Sequence, residues 1–181
     1  RRLKKMPIRM KILSFLRWKA VDAYYAPRRI NDFREFGLTL YCGRQGSGKT
    51  ISMIHYANRI HRRYPKCIIV SNFHYKHADQ RMESWRDFLE IRNGEDGVLF
   101  LIDEIHSEFS TAAWKDFPEN LLSEISQQRK QRIKIVATSQ IFTRVVKQIR
   151  EQTHSVVQCS TFGNRWTFNR EYDAKDYELY C

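Results

Sequence analysis

Short, almost uninterrupted apolar runs alternate along this chain with stretches in which apolar residues recur every three or four positions. The runs are Leu38 to Cys42 (LTLYC), Cys67 to Asn72 (CIIVSN), Val98 to Glu104 (VLFLIDE) and Ile133 to Gln140 (IKIVATSQ). Such runs have the composition of parallel strands buried on both faces. Between them, Ile51, Met53, Ile54 and Ala57 stand at near-helical spacing and predict a helix over 49–63. Trp85, Phe88 and Leu89 line one face of a second helix, which stops at the turn signal Asn93-Gly94-Glu95-Asp96-Gly97. Pro118 suits a first helical position and opens a helix over 119–130, and residues 142–152 read as a further helix. Near the end, HSVVQCS and RWTFNR flank Phe162-Gly163-Asn164 as a hairpin. The pattern therefore predicts an α/β fold: a mainly parallel sheet covered by helices on both faces and finished by an antiparallel edge hairpin. Trp166, Phe168 and Arg170 alternate along the second hairpin strand. They are expected to pack in the core of the hairpin, with stacking on nucleic-acid bases as the alternative.

Before the first strand, Ile8, Ile12, Phe15, Leu16 and Ala20 take helical spacing among Arg9, Lys11, Arg17 and Lys19, which predicts a basic amphipathic helix over 8–23. Charge marks this segment as an arm. Residues 1–36 carry eleven Lys/Arg against Asp22, Asp32 and Glu35, so they hold +8 of the chain's net +12. The sequence divides accordingly into an arm over 1–36 and a domain over 37–181. The arm has three open readings: packing on protein, adhesion to an anionic membrane face, or contact with nucleic-acid phosphates. Four cysteines without metal-ligand spacing, two of them in apolar runs, favour a reducing, cytoplasmic setting. No apolar stretch approaches the roughly 20 residues needed to span a bilayer. The chain starts on Arg1 and is expected to be a piece of a longer protein. His74, His77 and His106 lack fixed ligand spacing and are expected to be surface histidines.

The candidate chemistry sits directly after the first strand. Gly43, Arg44, Gln45, Gly46, Ser47, Gly48, Lys49 and Thr50 (GRQGSGKT) meet the pattern G-x-x-x-x-G-K-[ST] between a strand and a helix. A triphosphate needs several backbone N–H groups aimed inward, which requires glycines in unusual dihedrals and a helix N-terminus facing the anion. Gly43, Gly46 and Gly48 supply the loop. Lys49 is positioned for the β- and γ-phosphates, and the Thr50 hydroxyl for Mg²⁺. The expected ligands are thus ATP and Mg²⁺. The third strand ends in Asp103-Glu104, where Asp103 would hold Mg²⁺ and Glu104 would polarise the attacking water. The fourth strand ends in Thr138, Ser139 and Gln140. If this strand lies between the other two functional strands, as in the additional-strand class of P-loop ATPases, Gln140 faces the γ-phosphate as a sensor.

Taken together, LYCGRQGSGKT, Asn72, LFLIDEIHSEF, SQQRKQR and IVATSQ resemble the zonular occludens toxin-like family of P-loop NTPases. That family includes the assembly ATPases of filamentous phages and belongs to the FtsK/HerA superfamily; the resemblance covers about residues 37 to 153. It implies a RecA/FtsK-like fold and an ATPase forming a pentameric or hexameric ring that moves phage or mobile-element DNA or extrudes virions. It also implies a location in the cytoplasm, peripheral to the inner membrane, or in the virion, where the basic arm would meet the membrane surface or other virion proteins. An arginine reaching into the neighbouring subunit's site is implied as well, with Arg129 and Arg132 as candidates. A membrane span commonly follows this domain in phage assembly proteins, and none occurs before Cys181. The other function class consistent with the resemblance is a host-directed toxin with a vestigial nucleotide site, against which Lys49, Thr50, Asp103 and Glu104 all argue. A small-molecule kinase lacks its lid and acceptor signatures here.

Overall fold

The computed structural model describes residues 8–25, 32–84, 86–108, 128–163 and 165–180, in two compact units, Arg1–Asp32 and Phe33–Cys181. In the first unit, helix α1 runs Ile8–Tyr25. The predicted helix is present, but it is not one-faced. Leu13, Trp18, Val21, Tyr24 and Tyr25 fall on the sides that Ile12, Phe15 and Leu16 leave, so apolar residues ring the helix. Ile12, Leu13, Phe15, Leu16, Trp18, Tyr24 and Tyr25 are all exposed within their unit.

The second unit is built on seven strands: β1 Gly37–Cys42, β2 Ile68–Ser71, β3 Gln80–Arg81, β4 Val98–Ile102, β5 Ile133–Ser139, β6 Thr153–Phe162 and β7 Trp166–Asp173. Their order in the sheet is β3-β2-β4-β5-β1-β6-β7, parallel except for the antiparallel β6–β7 hairpin. β5 thus separates β1 from β4, as the additional-strand expectation requires. The two-residue edge strand β3 is too short to leave a pattern in the sequence.

Strand periodicity explains the core. Along β4, Val98, Phe100 and Ile102 enter one apolar cluster while Leu99 and Leu101 enter the other; in β1, Leu38, Leu40 and Cys42 oppose Tyr41 in the same way. The second cluster is closed by helix α2 (Lys49–Arg63), which contributes Met53, Ala57 and Ile60 at i, i+4 and i+7. Met53 and Ile60 are fully buried, and such side chains each contribute about 1.5–3 kcal/mol of transfer free energy. Phe33 joins this face at 2% exposure, edge-on to Tyr64 at 5.1 Å. A lysine interrupts the apolar pattern of β5: Lys134 donates to the Thr39 hydroxyl at 2.8 Å and the Phe36 carbonyl at 3.2 Å. Burial pushes its ammonium down to about 8.

Several predicted helices are shorter. Of Trp85, Phe88 and Leu89, expected on one face of a helix, Trp85 lies outside the described residues and the other two fall in the single turn α3 (Asp87–Glu90). A one-turn α4 (Ile105–Glu108) follows β4, and of the helix expected over 119–130 only α5 (Gln128–Gln131) reaches into the described residues, most of that span lying outside them. The helix expected over 142–152 is broken into a 3-10 turn, Phe142–Arg144, and α6 (Lys147–Gln152). The β-branched pair Val145-Val146 between them takes extended dihedrals. A last helix, α7 (Ala174–Tyr180), follows the hairpin.

The expectation that Trp166 and Phe168 pack in a core is overturned: they are 66% and 53% exposed. β7 is the edge strand, and on the α2 side it is the alternate residues that make contacts, Asn169 accepting from the Ser52 hydroxyl at 3.0 Å.

Candidate active site

The phosphate loop joins the C-terminal end of β1 to α2. Gly43, Gly46 and Gly48 all have positive φ (154°, 77° and 86°), conformations that side-chain-bearing residues adopt only with strain. Two of the glycines are also required by contact. A Cβ on Gly43 would stand 2.5 Å from the Ser47 hydroxyl and 2.6 Å from the Cys159 carbonyl, and one on Gly48 would stand 2.6 Å from the Thr167 hydroxyl. The loop is therefore wedged against the β6–β7 hairpin. Lys49 is buried, and its ammonium donates back to the Arg44 carbonyl at 3.2 Å, spanning the loop that it would serve. Arg44 and Gln45 are exposed.

Opposite the loop, at the end of β4, the Thr50 hydroxyl donates to Asp103, 3.2 Å from Oδ1 and 3.4 Å from Oδ2. This pairing joins the two predicted metal-binding residues across 53 positions of sequence. Two further residues fix Asp103. Asn72, just past β2, clamps its backbone, accepting from the Asp103 N–H at 2.8 Å and donating to its carbonyl at 3.1 Å. Thr138, fully buried in β5, donates to Asp103 Oδ1 at 2.6 Å and accepts the Glu104 N–H at 2.8 Å. Glu104 has φ 52°, uncommon for a residue with a side chain, and its carboxylate lies 3.3 Å from His106 Nδ1.

Thr138 is the functional residue that sequence reading passed over in favour of its neighbour Gln140. The available signal was a polar residue inside a mainly apolar buried strand, two places before Gln140, which lies just past the end of β5 at Ser139. Thr138→Val keeps the shape and removes the hydroxyl, which leaves the Glu104 N–H without its acceptor and Asp103 Oδ1 with the Thr50 hydroxyl alone. The expected outcome is a loss of about 1–3 kcal/mol of stability, read from urea unfolding, together with slowed hydrolysis.

Gln140 lies at the tip of β5 in a cleft of about 660 Å³ that it shares with Gly43, Gln45, Ser47 and Thr161. The structure thus gathers the loop, Asp103, Glu104 and Gln140 at the C-terminal ends of β1, β4 and β5. Arg129 and Arg132 are not part of that gathering. They flank the N-terminal end of β5, at the other end of the sheet. Arg132 donates to the Glu95 carbonyl at 2.9 Å and the Phe33 carbonyl at 3.5 Å, and the Arg129 guanidinium lies 5.4 Å from the centre of the Phe36 ring. Neither reaches the loop of its own subunit. His77 stacks on His61 at 4.4 Å.

The residues present fit a nucleoside triphosphate. The cradle leaves no room for a side chain at Gly43 or Gly48, a buried ammonium stands beside it, and the buried Ser47 hydroxyl has no hydrogen-bond partner among the described residues. The Thr50 and Asp103 oxygens are the hard donors that Mg²⁺ takes. Residues 55–176 match the zonular occludens toxin (Zot) family. The chain belongs to the Zot family. The matched span begins inside α2 and runs through β4, β5 and the hairpin, so it includes Asp103, Glu104 and Gln140. The fold is likewise similar to that of solved structures. The N-terminal domain of zonular occludens toxin from Neisseria meningitidis aligns with a TM-score of 0.57 at 15% identity, over 76% of this chain and 84% of that one. The genome packaging NTPase B204 from Sulfolobus turreted icosahedral virus 2, in complex with ATP-gammaS, aligns with a TM-score of 0.53 at 12% identity, over 70% and 76%. The same protein in complex with AMPPCP gives 0.51 at 13% identity, over 71% and 76%. No curated protein is similar to the chain in sequence. At these identities the solved structures establish the fold, a P-loop NTPase domain, and this Zot-family chain carries its Walker residues in that setting.

Proposed function

We propose that this Zot-family chain is an ATP-hydrolysing motor of a phage or mobile element that drives DNA translocation, packaging or virion extrusion. The observation that carries the reading is the Thr50–Asp103 pair at 3.2 Å, with Glu104 following Asp103 and Gln140 at the tip of the intervening strand. A vestigial site has no reason to keep this set in register. Thr50 and Asp103 would hold Mg²⁺, which supplies charge neutralisation between the phosphates. Lys49 binds the β- and γ-phosphates, Gln140 reads the γ-phosphate, and Glu104 accepts a proton from the attacking water. The similarity to B204, a genome packaging NTPase, supports DNA as the moved polymer, and the exposed Trp166 and Phe168, with Arg170 next on the same side of β7, offer base-stacking faces.

Hydrolysis is completed across a subunit boundary in this reading. Arg132 is engaged within its own subunit, whereas Arg129 is exposed, so Arg129 is the better candidate for an arginine delivered to a neighbour in a ring. The working location is the cytoplasm, peripheral to the inner membrane, or the virion; no helix among the described residues is long and apolar enough to cross a membrane.

The test is Mg²⁺-dependent ATP turnover measured against protein concentration, with and without DNA. Turnover should rise with assembly and with DNA. A chain that binds ATP yet never turns it over under any of these conditions sinks the motor reading in favour of a binding protein. Removing residues 1–29 should weaken DNA binding and flatten its salt dependence while sparing ATP binding, because most of the net charge leaves with the arm. An unchanged salt slope would contradict an electrostatic role for the arm.

A further inference from the structure

The strand order gives a bound nucleotide a direction. Its γ end belongs where Lys49, Asp103, Glu104 and Gln140 meet, at the tips of β4 and β5, and beyond β1 the sheet continues into β6 and β7. Phosphates laid over the loop from the β4–β5 side therefore deliver the nucleoside toward the hairpin. We propose that the tip of the β6–β7 hairpin forms the nucleoside half of the site, with Arg165 as the positioning residue that lies against the base and Ile51 meeting its other face. This inference rests on the nucleotide reading given above.

Three observations carry it. First, the hairpin overruns the sheet. Cys42, the last residue of β1, pairs with Gln158, so Cys159 to Phe162 continue past the end of β1 and run beside the phosphate loop. The hairpin is seated there, because a Cβ on Gly48 would meet Thr167 Oγ1 at 2.6 Å, Thr167 Cγ2 at 2.7 Å and Thr161 Oγ1 at 3.2 Å.

Second, hairpin and loop enclose a cleft of about 520 Å³. Gly48, Lys49, Thr50 and Ile51 line one side, and Thr161 and Arg165 line the other. That size is ordinary for a small-molecule site, and it begins at the residues that bind the phosphates.

Third, the two side chains at its mouth are unspent. Ile51, in the first turn of α2, is an apolar side chain left 70% exposed. Arg165 has its backbone N–H fixed by the Phe162 carbonyl at 3.2 Å, while its guanidinium has no carboxylate partner among the described residues. A planar guanidinium and an aliphatic side chain are suited to the two faces of a nucleobase, through cation–π stacking on one and apolar contact on the other. The Thr161 and Thr167 hydroxyls, 3.3 Å apart, can turn to a ribose hydroxyl.

The test compares two ligands with the same phosphates, ATP and inorganic tripolyphosphate, titrated calorimetrically into wild type and Arg165→Ala. The wild-type chain should prefer ATP. Arg165→Ala should lower ATP affinity about tenfold and leave tripolyphosphate affinity unchanged. In turnover, KM for ATP should rise by the same factor with kcat held, and Arg165→Lys, which restores charge without the plane, should recover only part of the loss. Equal losses for both ligands would make Arg165 a general electrostatic contact, and no loss for either would remove it from the site; both overturn the inference while leaving the nucleotide reading standing. A wild-type chain that binds neither ligand overturns the nucleotide reading and the inference with it. A thermal-unfolding midpoint of the variant equal to wild type excludes misfolding as the cause.

Discussion

Glu104→Gln is expected to bind ATP normally and to hydrolyse it about 10²- to 10⁴-fold more slowly, the range that a positioned general base contributes. The amide preserves the shape of the side chain and the backbone bond from the Glu104 N–H to Thr138 at 2.8 Å, so the fold around the site is kept. What is lost is the proton acceptor. In the structure the carboxylate lies 3.3 Å from His106 Nδ1, next to the metal-binding candidate Asp103. Single-turnover hydrolysis separates this effect from product release. A variant rate within about twofold of wild type would assign the base elsewhere.

Lys49→Ala has its effect one step earlier. The buried ammonium bonds to the Arg44 carbonyl at 3.2 Å, and exchanging that carbonyl for phosphate oxygens gains charge-assisted bonds. Losing two of them weakens ATP binding by about 10²- to 10⁴-fold. The expected result is no detectable binding at micromolar ATP, by calorimetry or by retention of labelled nucleotide. Near-wild-type affinity would mean that the loop amides alone hold the phosphates. Because Glu104→Gln blocks turnover after binding and Lys49→Ala prevents binding, the two variants together separate the steps of one cycle.

The parts of this site that could be read from the sequence are those whose chemistry demands a local pattern. A glycine loop between a strand and a helix requires consecutive residues, so Gly43 to Thr50 were legible, as was Asp103-Glu104 at the end of an apolar run. The buried parallel strands were legible because they write themselves as uninterrupted apolar runs, while the placement of β5 between β1 and β4 came from the likeness to additional-strand P-loop ATPases. Contacts made across the fold left weaker traces. Thr138 is one polar residue in a buried strand, and its role appears only once β5 is seated beside β4. Trp166 and Phe168 carried the signature of a half-buried strand, yet edge position rather than alternation decides their exposure. The segment 142–152 had helical composition, but the pair Val145-Val146 preferred an extended backbone. Around α1, the spacing of five apolar residues suggested one face, while the remaining apolar residues lay on the others.

All seven residues of β5 are buried, with β4 on one side and β1 on the other. A strand packed this way has no slack along its length, because interiors are close to crystalline density and neighbouring ladders fix its register. It spans about 23 Å from one end of the sheet to the other. At its entry stands Arg132, tied to the Phe33 and Glu95 carbonyls, and at its exit stand Thr138 and Gln140. The carboxylate that Thr138 holds and the arginine at the entry are thus fixed to the two ends of one buried strand.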